Sequence, residues 1–216
     1  MLYPAFIKLK GRRCLVVGGG KVAARKVKML LACGAKVRVV SPEAVEEIAA
    51  LAAAGEIDWV RRGFTAGDTA GAFLVVSATD NREVNGRVAQ ECAAGNILLN
   101  VVDQPEFCNF FVPAVIRRGE LTVAVSTGGK SPLLARRLRE KLEKIFPPAY
   151  GEFLEYLGWL RREIISQHPD AKEDFFAALI GPEVLSALER DDIAQARELV
   201  KGVYDRYRSQ PPDGAR

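Results

Sequence analysis

The residues with the most chemical content are three consecutive glycines, Gly18, Gly19 and Gly20. They stand between a short apolar run, Cys14 to Val17, and a helical pattern that opens at Lys21. Gly18, Gly20 and Ala23 fit the spacing G-x-G-x-x-G/A of a dinucleotide-binding turn. In that pattern the first glycine makes the turn out of the strand. The second lets main chain approach a pyrophosphate, and the third small residue lets the helix pack on the strand. The N–H groups at the helix start, at Lys21 and Val22, then face the anion with a partial positive charge behind them. Gly20-Lys21 also suggests a P-loop. That motif needs Ser or Thr where Val22 stands and Gly where Val16 stands, so it is set aside.

Three further polar clusters follow apolar runs and are expected at the carboxyl ends of strands, where parallel sheets bind ligands. Ser41-Pro42-Glu43 ends the second run. Dinucleotide folds often place a ribose-binding acid there, and Ser41, the Glu43 carboxylate or local main chain could serve. No arginine lies just beyond that strand end, which favours NAD over NADP. Glu43 could equally be a first-turn acid favoured by a helix dipole. Thr79-Asp80-Asn81 is a polar stop, with Asp80 or Asn81 able to cap the next helix. Asn100-Val101-Val102-Asp103 ends in a carboxylate at the mouth of the same crevice. Asp103 is well placed to move a proton while a nicotinamide takes up the electrons, or is simply a turn aspartate before Pro105.

These residues need a scaffold, and the first half supplies one. Strands are expected at 14–17, 36–40, 57–60, 73–77 and 97–102, with helices over 21–33, 43–54 and 83–94. Such a β-α-β alternation argues for an α/β fold with a doubly wound parallel sheet. After Pro105 the pattern changes. Residues 110–116 and 121–126 read as an antiparallel hairpin turning at Arg117-Arg118-Gly119-Glu120. Ser131 and Pro132 start a helix carrying Leu134, Leu138, Leu142 and Ile145 on one side. From Tyr150 the chain is helical by pattern, with breaks near Pro169 and Gly181-Pro182, and a frayed tail is expected from Gln210.

Bulk properties exclude several classes. The 216 residues carry a net charge of +4 without an arginine-rich tract or aromatic platform, so no nucleic-acid partner is expected. No apolar run reaches the ~18 residues of a membrane span, and the N-terminus lacks a signal-peptide pattern. A cytoplasmic protein is expected. The four cysteines are scattered and His168 is the single histidine, so no metal site is expected.

The motifs together resemble precorrin-2 dehydrogenase, the dehydrogenase module of siroheme synthases. The matching residues are Pro4-Ala5-Phe6, Val16 to Lys26, Val40 to Glu43, Ala78-Thr79-Asp80 and Asn100 to Pro105. Cys108 to Phe110, Phe111 to Ala114, Ser126 to Pro132 and Leu134-Ala135-Arg136 follow in order. The resemblance covers most of residues 1 to 145; beyond Tyr150 it extends to length and helical character only. It implies a Rossmann NAD-binding domain over 1–113, a dimerisation region over 114–147 and a helical domain over 148–216. It also implies NAD-dependent oxidation of precorrin-2 to sirohydrochlorin, with Asp103 as the catalytic aspartate. Because the chain ends at Arg216 without a methyltransferase domain, a stand-alone enzyme is expected.

The implied substrate, a tetrapyrrole rich in carboxylates, needs basic partners and main-chain donors. Arg117, Arg118, Lys130, Arg136 and Arg137 are candidates, as are Asn100, Thr127 and the Gly128-Gly129-Lys130 turn before a helix. Any one of the arginines could instead belong to a solvated helix face, and Ser131 is read as a cap. Elements 110–145 lie outside the parallel sheet and need cover, which a homodimer would supply. Two other functions stay open: an added chelatase activity that loads iron into sirohydrochlorin, and a non-catalytic NAD-sensing module.

Overall fold

The computed structural model describes residues 2–169 and 173–209. The expected tail from Gln210 lies outside them, as does part of the break after Pro169. The chain forms two compact units, Met1–Val112 and Pro113–Arg216. The expected dimerisation region and helical domain both fall within the second unit.

The first unit holds β1 (Arg13–Val17), α1 (Lys21–Ala32), β2 (Lys36–Val40), α2 (Glu46–Ala53), β3 (Ile57–Val60), β4 (Leu74–Ser77), α3 (Arg82–Ala94) and β5 (Leu98–Val101). Its five strands are all parallel, in the order β3-β2-β1-β4-β5. Cys14 to Val17 and all of β4 are buried, as expected for interior strands covered on both faces. Side chains alternate between faces. Val16, Val37 and Val39 meet Ala24, Val27 and Ile48 of α1 and α2. Leu15, Val17, Val75 and Leu99 meet Val88 and Cys92 of α3 on the other side.

Two expected boundaries move, for physical reasons. The helix predicted from Glu43 begins at Glu46, because residues 43–45 stay outside the helix, packed against the glycine loop. Val45 N donates to Gly19 O at 2.8 Å. The first-turn acids of α2 are therefore Glu46 and Glu47, and Glu43 is not one of them. The hairpin strand predicted from Phe110 begins at Ala114. Asn109 and Phe110 are engaged on β5 instead, and Pro113 has no N–H for a ladder.

The second unit opens with the antiparallel pair β6 (Ala114–Arg118) and β7 (Leu121–Val125). Arg117 and Arg118 lie in the strand, so the turn is Gly119-Glu120, with Gly119 at φ +56°. Then come α4 (Pro132–Ile145), α5 (Ala149–Gln167), α6 (Glu173–Ala178), α7 (Pro182–Glu189) and α8 (Ile193–Ser209). A third break, between α7 and α8, was not expected. The core of these helices gathers Phe153, Leu160, Ile164, Leu188 and Val200. A Cβ at Gly151 would lie 2.8 Å from the Arg118 carbonyl carbon, so glycine there lets α5 press onto the hairpin.

Candidate nucleotide site

The carboxyl ends of the five parallel strands share one edge, and four of the expected clusters stand there. Gly18 has φ +114°, and an added Cβ would lie 2.4 Å from Ala78 O. At Gly19, which the fingerprint left without a role, a Cβ would lie 2.0 Å from Glu43 O and 2.7 Å from Ser41 Oγ. These two glycines lock the loop against β4 and β2. Gly20 differs: its φ of −80° suits any residue, and a Cβ would meet nothing within 4 Å. Among the described residues nothing requires glycine at that point. A pyrophosphate approaching the main chain does, so the residues present fit a dinucleotide. Gly20 is also the N-cap of α1 and contributes no side-chain cap to the first turn. Ala23 is fully buried on the sheet, as its place in the motif demands.

The β2 end corrects one expectation. Ser41 is 3% exposed. Its hydroxyl accepts the Trp59 indole N–H at 3.2 Å, and its carbonyl accepts the same group at 3.1 Å. Its burial makes it part of the loop's frame. Pro42 and Glu43 remain exposed beside it, as does Lys21, while Val22 is half-buried.

After β4, Asn81 caps α3 by accepting from Val84 N at 3.1 Å, and Thr79 Oγ1 accepts from Asn81 N at 3.2 Å. Asp80 is exposed. Beneath them lies a buried pair that the sequence reading missed. The Ser77 hydroxyl donates to Asn85 Oδ1 at 2.6 Å, and Asn85 Nδ2 donates to Thr79 O at 3.0 Å. The signal was a polar residue in the apolar stripe Asn85, Val88, Cys92.

Asp103 follows β5 in an exposed turn with φ +59°, a left-handed conformation that Asp tolerates better than most residues. The returning chain clasps β5. Asn109 Oδ1 accepts from Leu99 N at 2.7 Å and its Nδ2 donates to Ile97 O at 2.8 Å. Asn100 Nδ2 donates to Phe110 O at 3.2 Å, and Cys108 Sγ accepts from Val101 N at 3.2 Å. Asn100 thus has a structural partner of its own.

Electrostatics remove some groups from consideration. Burial pushes the Cys14 thiol up to about 11 and the Cys92 thiol to about 12, so both stay protonated and inert. Burial, reinforced by Arg25, holds the Lys26 ammonium below the usual lysine range, with Cys108 opposing. Among the described residues no group of three His, Cys, Asp or Glu could hold a metal ion, and no helix is long and apolar enough to cross a membrane.

In the second unit, Ser126 Oγ accepts from Gly128 N, and Thr127 Oγ1 donates to Ser131 O and accepts from Ser131 N. Gly128 and Gly129 have φ +62° and +81°. Ser131 caps α4, as expected. Lys130 is exposed, and so is Arg117 on β6. Arg136 is paired with Glu140 at 2.8 Å, and Arg137 lies 3.7 Å from the same carboxylate. Arg118 donates to Phe146 O at 2.8 Å, closing the carboxyl end of α4, so it is a structural cap.

Known proteins agree with this arrangement. A family described as "Putative NAD(P)-binding" matches residues 5–114, and one described as "Sirohaem biosynthesis protein central" matches residues 118–145. A siroheme synthase of Methylobacillus flagellatus is 43% identical over 86% of this chain and 41% of its own length. Siroheme synthase 3 of Aeromonas hydrophila is 42% identical over 93% of this chain and 44% of its own. The chain thus spans less than half the length of these curated relatives. The solved structure of SirC, a precorrin-2 dehydrogenase, superposes with a TM-score of 0.74 at 28% identity, over 94% of this chain and 100% of that one. By motif, fold and sequence, the chain belongs to the family described as putative NAD(P)-binding, and its residues 118–145 match the central part of sirohaem biosynthesis proteins.

Proposed function

We propose that the chain oxidises precorrin-2 to sirohydrochlorin with NAD, in siroheme biosynthesis in the cytoplasm. The observation that carries the reading is Gly20, which leaves open space before the α1 N-terminus at the fingerprint position, on the same sheet edge as Asp103. The solved precorrin-2 dehydrogenase to which the chain is similar carries the substrate in its name, and the similar siroheme synthases support siroheme biosynthesis.

Gly18 and Gly19 fix the loop, and main-chain N–H groups at Gly20, Lys21 and Val22 receive the pyrophosphate. With Ser41 buried, Glu43 accepts from the ribose hydroxyls beside Pro42. Thr79, Asp80 and Asn81 line the neighbouring strand end. Bound NAD supplies the acceptor for one electron pair and one of the two hydrogens removed. The other hydrogen leaves as a proton, and the Asp103 carboxylate takes it. In the second unit, taken by itself, exposed Lys130 and the Gly128-Gly129 turn are groups suited to an acidic ligand's carboxylates. Thr127 orders that turn, and Arg136 would exchange its Glu140 partner for a carboxylate. Asn100, three residues before Asp103, donates its amide to Phe110 O and would have to release it to reach a substrate.

We also propose a homodimer. Leu134, Leu138 and Ile145 of α4 form a row that remains 51%, 39% and 40% exposed. A helix with its apolar side in water is one that a second copy covers.

Asp103→Asn tests the chemistry, since Asn keeps the left-handed turn while removing the base. NADH formation from precorrin-2 should fall about 100-fold or more with NAD affinity retained. Unchanged turnover would remove Asp103 from the mechanism, and a wild-type protein that makes no NADH would remove the activity.

A further inference from the structure

Trp59 is the third residue of β3, and Arg61 follows directly after the strand's last residue, Val60. The register pairs Val40 with Val60, the last residues of β2 and β3, and the Val60 carbonyl accepts from Ser41 N at 3.2 Å and from Arg62 N at 2.9 Å. Arg61 thus lies in the turn that leaves the β3 end, next to the β2 end. Its guanidinium carbon lies 4.4 Å from the centre of the Trp59 ring. The same indole donates to Ser41, against which Gly19 packs. One continuous set of contacts links the glycine loop, Ser41, Trp59 and Arg61.

The neighbouring arginines are committed elsewhere. Arg62 makes two bonds of 2.7 Å to the Asp68 carboxylate, and Arg38 bonds Asp58 at 2.6 Å. The partner of Arg61 is an aromatic face. Such a stack orients the guanidinium and leaves its edge, with its N–H donors, available to an anion.

In open parallel sheets the group beyond the second strand meets the adenosine ribose, and an arginine there accommodates a 2′-phosphate. No arginine follows β2 along the chain. The fold brings one from the β3 end. We propose that Arg61, held on Trp59, binds the 2′-phosphate of NADP, so that the nucleotide site accepts NADP as well as NAD. Glu43, exposed at the same strand end, favours the free ribose hydroxyls of NAD and repels a phosphate. The two side chains pull in opposite directions, which makes the site permissive. This inference rests on the nucleotide-binding reading above.

Calorimetric titration of the intact chain with NAD and with NADP, for wild type, Arg61→Ala and Arg61→Lys, is the test. Wild type should bind NADP within about tenfold of NAD. Arg61→Ala should raise the ratio of the NADP to the NAD dissociation constant by about tenfold or more, and Arg61→Lys should fall between, since lysine lacks the bidentate fork. Added salt should weaken NADP more than NAD in wild type, and the difference should shrink in Arg61→Ala. An unchanged ratio in Arg61→Ala overturns the proposal; so does wild-type protein that binds NAD but not NADP. An equal loss of both nucleotides would instead make Arg61 an adenine shelf and also overturns it. Wild-type protein that binds neither defeats the nucleotide reading itself, a different failure.

Discussion

At Gly19 an added Cβ would lie 2.0 Å from a backbone oxygen, whereas one position later it would meet nothing within 4 Å. The same substitution at the two sites should therefore separate folding from binding. Gly19→Ala should lower stability by about 1–3 kcal/mol, because the atom it strikes is backbone and cannot swing aside. Gly20→Ala adopts its φ of −80° without strain and should cost under about 1 kcal/mol, the ordinary loss at an N-cap. Its NAD affinity should nevertheless drop about tenfold or more, since the methyl group occupies the approach to the main chain. Thermal melts and calorimetry read the two effects independently. A Gly20→Ala protein with wild-type NAD affinity would remove the ligand as the reason for that glycine.

The loop after β5 shows how an element positions a residue it does not contain. β5 is the edge of the sheet; the Asn109 side chain takes Leu99 N in the strand and Ile97 O just before it, and Cys108 Sγ takes Val101 N, so the returning chain imitates a missing strand. Asn109→Ala leaves Leu99 N and Ile97 O without their side-chain partner, at a cost of about 2 kcal/mol. It should also loosen the Asp103 turn, so kcat for NADH formation should fall while the NAD dissociation constant stays put. A variant with wild-type kcat would show that the clasp serves stability alone. The five strands and the Ser131 cap were legible in the sequence, and the α3 cap was narrowed to Asp80 or Asn81, because apolar runs and cap residues act locally. The Asn109 clasp was not, since its partners lie 10 and 12 residues away and the bond depends on which strand ends up at the edge. The delayed start of α2 was hidden for a similar reason. Residues 43–45 read as helical, and only the packing of Gly19 against them holds them out of the helix. Ser41 read as one of the groups that could meet the ribose; its bond to Trp59, 18 residues on, depends on the fold and was not legible.

At the scale of the whole molecule, α4 buries only Ala135 fully within the chain, while Leu134, Leu138 and Ile145 stay substantially exposed. A stable dimer buries about 800 Å² on each partner, more than one leucine row provides, so neighbouring surface must join it. Near the middle of the row, Leu138 is the position where a charge does most damage to a shared apolar seam and least to a solvated helix. Leu138→Glu in a monomer would change stability by less than about 0.5 kcal/mol, as for an ordinary surface substitution. In a dimer it buries an unpaired carboxylate at each copy of the row and should raise the dissociation constant by about 100-fold or more. Sedimentation across a range of concentrations distinguishes the two cases. Wild type should run as a dimer at micromolar concentration with a melting temperature that rises with concentration, and Leu138→Glu should run as a monomer. A wild-type monomer, or a Leu138→Glu protein that remains dimeric, would place the partner surface away from α4.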